Sequence, residues 1–165
     1  MPEIDKLTIE RIKKLHPKLR KEAEKIYSEI CERLTGNSIC RFAMTLRTFA
    51  EQDALFNKVP KVTKARGGQS FHNYGLAIDI VLLVDQDGNG TFESASWNTK
   101  IDHDGDNMSD WMECVEVFEK YGWEWGGKWN FKDDPHFQKT FGYTWQDLLN
   151  KHKRGEVDKA GYVLI

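Results

Sequence analysis

The chain has 165 residues, of which 39% are hydrophobic and 30% are charged, and its formal net charge at pH 7 is −2. This length predicts a single domain over residues 1–165 with a real buried core. The sequence shows neither an apolar run long enough to cross a membrane nor the charged-then-apolar start of a signal peptide, which excludes stable membrane insertion and predicts synthesis in the cytoplasm. We expect a monomer with no nucleic-acid partner.

The odd number of cysteines (Cys31, Cys40 and Cys114), without metal-type spacing, predicts buried thiols in a reducing compartment.

The first third of the chain is predicted to contain three helices and one strand. The helices cover residues 8–15, 17–34 and 48–57, and the strand covers residues 39–46. Pro17 is acceptable at a first helical position. Apolar residues at helical spacing predict a face that packs in the core: Ile12, Leu15, Leu19, Ala23, Ile26, Ile30 and Leu34.

A Gly-containing loop at residues 65–70 leads into a strongly apolar strand at residues 76–84. Asp79 lies inside this apolar run, where a carboxylate is costly unless it is paired or bound to a cation. His72 precedes the strand, and Gly75 allows the chain to turn between the two residues. The pattern therefore predicts a loop imidazole beside a strand carboxylate.

The next segment is strongly acidic and is predicted to be an insertion at about residues 85–110. Residues 85–119 contain ten Asp or Glu and a single Lys, which leaves the rest of the chain with a net charge of +7. Residues 85–93 match the first nine positions of a calcium-binding EF-hand loop, although the twelfth position is Ser96. Its candidate ligands are Asp85, Asp87 and Asn89.

The second acidic loop, residues 102–113, matches the EF-hand pattern more fully. Asn107 replaces the usual Gly at the turn, and Asn tolerates the left-handed backbone that this position requires. The candidate calcium ligands are Asp102, Asp104, Asp106, Asp110 and Glu113. The alternative for both loops is a pair of acidic turns that hold no ion.

Beyond the acidic segment, helices are predicted at residues 110–121 and 144–152, and a last short strand at residues 161–165. Between them Pro135 fixes the backbone before His136, so the segment 135–138 is expected to be extended and to lie beside the strand that carries Asp79.

His72, Asp79 and His136 would together be the ligands of a catalytic zinc, which takes three protein ligands and leaves a fourth position for water or substrate. Zinc lowers the pKa of a bound water to roughly 7. Asp133 would be the general base. A single His or Asp is usually structural, but the combination of these two motifs favours a zinc site.

The residues quoted above resemble the zinc D-alanyl-D-alanine carboxypeptidase and L-alanyl-D-glutamate endopeptidase superfamily, which includes bacteriophage endolysins. The resemblance runs from about Ile39 to the C-terminus, with its motifs at residues 47–56, 67–72, 125–127 and 133–137. It implies an α+β fold in which a small antiparallel sheet packs with helices, as in Hedgehog domains and D,D-peptidases. It also implies that His72, Asp79 and His136 bind zinc and that Asp133 is the base. Several relatives carry Glu at this last position, so Asp133 favours the endolysin-like branch.

Four further positions receive a role from this resemblance, each with a structural alternative. Arg47 would stabilise the oxyanion or hold a substrate carboxylate, with Gln52 beside it; the alternative is an Arg that braces the helix. Ser70 would contact substrate or orient His72, or would only cap a turn. Trp125 would form a flat wall of the site, or would be a core residue before a turn.

The sequence thus predicts a zinc peptidase that cleaves the L-alanyl-D-glutamate bond of peptidoglycan stem peptides. As in an endolysin, it would reach the cell wall after release from the cytoplasm. A D,D- or L,D-carboxypeptidase is the second interpretation. A zinc-containing binding module and a calcium-binding protein with an incidental His/Asp pattern remain alternatives.

Overall fold

A long apolar strand, Ala77–Val84 (β2), lies at the centre of the fold in the computed structural model, which describes residues 4–165. Along one edge, β2 pairs antiparallel with Ser38–Met44 (β1). Its other edge is shared by two short antiparallel strands, Ser94–Ser96 (β3) and His136–Gln138 (β5). Glu124–Trp125 (β4) pairs with the outer edge of β5, so the sheet has five strands in the order β1-β2-β5-β4, with β3 beside β2.

Five α-helices surround the sheet: Lys6–Ile12 (α1), Arg20–Arg33 (α2), Phe49–Phe56 (α3), Asp110–Lys120 (α4) and Trp145–Lys153 (α5). Three short 3₁₀ helices connect them: Pro17–Leu19, Phe71–Tyr74 and Gly126–Lys128. Most α-helices begin at a side-chain cap that satisfies a first-turn N–H group. The capping residues are Asp5, Thr48, Ser109 and Thr144. Among the residues described, no helix combines the length and apolar character needed to cross a membrane.

The core lies between the sheet and helices α2 and α4. Phe118 of α4 stacks on Phe137 of β5, with ring centroids 4.0 Å apart, and it also contacts Phe42 of β1 and Trp123. All four rings are 0–3% exposed. The core therefore holds β5 in place from the face opposite the cleft described below.

The fold class is confirmed as α+β with a small antiparallel sheet, but several element boundaries were wrong. The first helix begins before residue 8 because Asp5 caps it, accepting a hydrogen bond from Thr8 N. The helix predicted at residues 17–34 is divided, because the His16 ring accepts a hydrogen bond from Lys18 N and starts a 3₁₀ turn. The predicted strand 161–165 is only an isolated bridge between Val157 and Val163. Of the cysteines, Cys40 and Cys114 are buried as expected, whereas Cys31 is half-buried.

Candidate active site

Two of the three predicted zinc ligands lie side by side on adjacent strands of the sheet. Asp79 of β2 is the direct partner of His136 of β5. Asp79 Oδ1 lies 3.1 Å from His136 Nδ1 and 3.2 Å from His72 Nε2. One ligand atom from each of the three residues lies within 4.8 Å of the others. The structure therefore brings together the three predicted residues from the 3₁₀ helix Phe71–Tyr74, β2 and β5.

The 3₁₀ helix Phe71–Tyr74 fixes the position of His72. Ser70 Oγ caps it by accepting from His72 N at 3.3 Å, and the Asn73 side chain accepts from Ser70 N in return. The helix ends at Gly75, whose φ of +68° and close approach to His16 leave no room for a Cβ. The capping role proposed for Ser70 as the alternative is thus present in the structure, and it also orients His72.

The hydrogen bonds of the two imidazoles leave one nitrogen of each directed at Asp79. His72 Nδ1 lies 2.9 Å from Thr45 O, which can only accept, so Nδ1 carries the proton and Nε2 has a lone pair. His72 Nε2 is buried and, within residues 4–165, has no hydrogen-bond partner despite its closeness to Asp79. A buried lone pair next to a carboxylate is the arrangement that a bound cation would satisfy. These residues therefore fit a zinc ion.

His136 is held by a chain of two further side chains. Its Nε2 lies 2.8 Å from Gln138 Oε1, and Gln138 Nε2 donates to Glu124 Oε2 at 2.7 Å. Because Gln138 occupies Nε2, the other ring nitrogen of His136, Nδ1, is the one that faces Asp79. Burial by itself would lower the pKa of His136, but the hydrogen bond and charge of Asp79 outweigh it and raise the pKa. Burial would raise the pKa of Asp79, but the contact with His136 and the positive charge that the two adjacent imidazoles carry when protonated hold it below its usual range.

Replacing Gln138 with leucine is expected to weaken zinc binding about 10- to 100-fold, because partners that orient a ligating imidazole have effects of this size. The leucine side chain is similar in volume to that of glutamine but cannot accept a hydrogen bond from His136 Nε2, so His136 loses its fixed orientation. Competition with a chromophoric chelator measures the zinc affinity, and far-UV circular dichroism checks the fold.

Glu124→Gln is the matched control for this variant, because its amide oxygen still accepts from Gln138 Nε2. We expect its zinc affinity to stay within about threefold of wild type, well short of the loss from removing an orienting partner. Equal zinc affinities for Gln138→Leu and wild type would show that Gln138 does not orient the ligand.

Asp133 lies beside the three ligands at the mouth of a cleft of about 340 Å³. The backbone O of Asp133 accepts a hydrogen bond from His136 N, and its backbone N donates one to Gly126 O. These two bonds hold the Asp133 loop against β5 and against the 3₁₀ helix Gly126–Lys128. Gly126 packs so tightly against Asp133 O that a Cβ would lie 2.5 Å from it. The residue is exposed, yet partial desolvation in the cleft, with the charge of Asp79, raises the pKa of Asp133.

Arg47 and Gln52 also reach this cleft. Arg47 N donates to His72 O at 3.0 Å, and Arg47 Nη1 donates to Gln52 Oε1 at 3.0 Å. Gln52 is 1% exposed and its amide donates to Ala65 O, so it fixes the guanidinium at the cleft wall. The complete lining is Arg47, Gln52, Leu55, Val62, Thr63, Ser70, His72, Asp79, Asp133 and His136.

Trp125 is the predicted substrate residue that the structure does not bring to the cleft lining. Its indole Nε1 donates to Asp134 O at 2.7 Å, and its ring packs against the core. This arrangement matches the structural alternative. A different indole, that of Trp129, lies next to the site, with its ring centroid 5.4 Å from that of His136.

The sequence interpretation missed Gln138, Trp129 and the Thr45 carbonyl. Gln138 had a usable signal, since residues two apart on a strand point to the same face and Gln138 follows His136 at that spacing. Trp129 lies in an irregular segment, and the Thr45 contact uses only a backbone oxygen, so neither had a comparable signal.

The acidic loops lie apart from this cleft and form their own clusters. In the first, carboxylate oxygens of Asp85, Asp87 and Glu93 come within 4.8 Å of one another. In the second, Asp104 belongs to two such groups, one with Asp102 and Asp110 and one with Asp106 and Glu113. Asn107 has the left-handed backbone expected of it, with φ of +74°.

Two comparisons found known proteins that are similar in sequence. Residues 63–139 match a protein-family model described as D-alanyl-D-alanine carboxypeptidase. The chain is 46% identical over 98 residues to the peptidoglycan L-alanyl-D-glutamate endopeptidase CwlK of Bacillus subtilis (strain 168). This match covers 56% of the chain and 55% of the relative, so the chain spans about half the length of the curated relative. His72, Asp79, Asp133 and His136 lie within the residues matched by the family model, whereas Arg47 and Gln52 precede them.

Proposed function

We propose that this chain, which is similar to the D-alanyl-D-alanine carboxypeptidase family, is a zinc-dependent peptidase that cleaves the L-alanyl-D-glutamate bond of peptidoglycan stem peptides. The observation that carries the proposal is the convergence of His72, Asp79 and His136 within 4.8 Å, with Asp133 in the same cleft. The named activity of the relative supports the choice of bond. As part of the same proposal, the protein acts as an endolysin, reaching the wall after release from the cytoplasm.

Zinc is the metal that best fits this donor set. Two imidazole nitrogens and one carboxylate, with no fourth protein ligand among the group, are typical of a catalytic rather than a structural zinc. When bound there, zinc supplies a Lewis acid that polarises a carbonyl and makes water more acidic.

The chain's own residues supply the proton transfers and the orientation. The Asp133 carboxylate, exposed at the cleft mouth, accepts a proton from the attacking water and returns it to the leaving amine. Its raised pKa brings the carboxyl closer to the pH at which such an exchange is efficient. Arg47, held by Gln52, presents a fixed positive charge to the developing negative charge on the carbonyl oxygen or to a substrate carboxylate.

A D,D- or L,D-carboxypeptidase is the second candidate, because the family model itself is described by D-alanyl-D-alanine carboxypeptidase activity. The two activities use the same zinc ligands and base and differ in the bond that is placed over them. A non-catalytic module is less well supported, because such a module needs no carboxylate placed as Asp133 is.

Mass spectrometry of digested peptidoglycan distinguishes these functions. The zinc-loaded protein is expected to release peptides that begin with a free D-glutamate amino group. Removal of zinc by a chelator should stop the release, because without zinc the site has no Lewis acid to assist hydrolysis. Added zinc should restore the release. Release of D-alanine would instead assign the carboxypeptidase activity, and intact stem peptides after incubation with the folded, zinc-loaded protein would contradict both.

A further inference from the structure

The second acidic loop gathers carboxylates around one side chain that has a buried oxygen without a hydrogen-bond partner in the described residues. Glu113, in the first turn of α4, is 2% exposed, and its Oε2 is buried with no hydrogen-bond partner in residues 4–165. The nearest cation is Arg33, whose Nε lies 3.5 Å from the other oxygen, Oε1. A buried carboxylate oxygen that faces other carboxylates costs free energy unless a cation binds there.

The acidic neighbours of Glu113 point to an ion. Carboxylate oxygens of Asp104, Asp106 and Glu113 all come within 4.8 Å of one another. Arg33 is shared with Glu116, to which its Nη2 donates at 2.9 Å, so it does not neutralise the three carboxylates.

The other two acidic residues of the loop are already satisfied by the protein. Asp102 accepts from Gly105 N at 2.7 Å and from Asn107 N at 2.9 Å. The fully buried Asp110 accepts from the Ser38 hydroxyl and from His103 N. Asp104 likewise accepts from Thr35 and Asp106 from Met108 N, so among the five acidic residues it is Glu113 Oε2 that has no hydrogen-bond partner in residues 4–165.

We propose that Asp104, Asp106 and Glu113 bind one calcium ion at the start of α4. All three donors are oxygens, and calcium accepts six to eight oxygen ligands in a flexible geometry, which backbone carbonyls and water would complete. The residues also occupy the third, fifth and twelfth positions of the EF-hand pattern, at which calcium-binding loops supply carboxylates. This proposal is independent of the peptidase activity.

The ion would fasten α4 to the connection between α2 and β1. Thr35 N and Thr35 Oγ1 both donate to Asp104 Oδ2, at 3.3 and 3.2 Å, and Gly36 packs directly on the backbone of residues 103–104. Arg33, at the end of α2, reaches Glu113 on the other side. Calcium is therefore expected to stabilise the fold around this junction.

The first acidic loop carries no such proposal. Asp85 accepts from Asn89 N and Gly90 N, and the twelfth position of the pattern, Ser96, is paired in β3. The group of Asp85, Asp87 and Glu93 thus lacks a buried oxygen without a partner in the described chain.

Calorimetric titration of the zinc-loaded protein with calcium chloride tests the site. We expect one equivalent to bind, with a Kd on the order of 10⁻⁶ to 10⁻⁴ M. At a hundredfold excess over Kd, the Tm is expected to rise by ~5–10 °C. Magnesium, which demands a tighter octahedral site and keeps its waters, is expected to raise the Tm by less.

Three variants make the test specific. Glu113→Gln and Asp106→Asn are each expected to weaken calcium binding at least tenfold, since each removes one charged ligand. Asp106 is exposed, so its variant should fold even if the buried substitution does not. Asp87→Asn, the same charge change in the first loop, should bind calcium as wild type does. No binding by wild type at millimolar calcium, an equal response to magnesium, or unchanged affinity in Asp106→Asn would each overturn the proposal.

Discussion

Replacing Asp133 with asparagine is expected to lower kcat for stem-peptide hydrolysis about 10²- to 10⁴-fold, the usual contribution of a general base. The amide has nearly the same shape but cannot take up the proton of the attacking water. Because Asp133 is not one of the three converging candidate metal ligands, the variant should bind zinc as wild type does. Single-turnover hydrolysis of a synthetic stem peptide, with zinc content measured on the same sample, gives both quantities.

Asp134→Asn is the matched control. Asp134 is the next residue, carries the same charge and is not part of the cleft lining. Its substitution tests whether loss of one negative charge near the site is enough to impair hydrolysis. We expect near wild-type rates for Asp134→Asn, and an equal loss in the two variants would assign the effect to charge rather than to proton transfer.

Phe118→Ala is expected to destabilise the protein by about 3–5 kcal/mol, the range for truncation of a fully buried aromatic residue. Phe118 is 0% exposed and stacks on Phe137 with centroids 4.0 Å apart. Phe137 lies between His136 and Gln138, so the cavity left by Phe118 would loosen the strand that carries a proposed metal ligand. Urea unfolding monitored by circular dichroism measures the change in the free energy of unfolding.

The control for Phe118→Ala is Phe131→Ala. Phe131 is 90% exposed, so truncating it should change the free energy of unfolding by no more than about 0.5 kcal/mol. A destabilisation of less than about 1 kcal/mol by Phe118→Ala would mean that the aromatic stack does not support β5, since truncation in a packed core costs more than that.

The convergence of His72, Asp79 and His136 could be predicted from sequence because each residue carries a local signal. An acid inside an apolar strand needs a partner, and Pro135 makes the segment before His136 extended enough to pair with that strand. The structure shows the resulting pair, Asp79 opposite His136. Asn107 likewise had a local signal for its left-handed backbone, and it adopts that backbone.

What could not be predicted depends on contacts between distant segments. Gln138 orients His136 only because β4 places Glu124 opposite it, and β4 is two residues long with no pattern of its own. The different positions of Trp125 and Trp129 could not be predicted either, since both are aromatic residues close in sequence to the Asp133–His136 motif. Only the fold decides that one indole binds Asp134 O while the other lies against His136.

The alternation of side chains along β5 limits where the chain can change length. His136 faces the cleft and Phe137 faces the core. A deletion of one residue beside β5 would exchange the two faces, which would remove a proposed metal ligand from the cleft and place an imidazole against Phe118. The acidic segment leaves β2, returns to the sheet at β3 and continues to α4 without entering the cleft lining. Insertions and deletions near residues 86–92 should therefore be tolerated, which makes this loop, rather than the Asp133 turn, the place to attach a reporter or an added wall-targeting module.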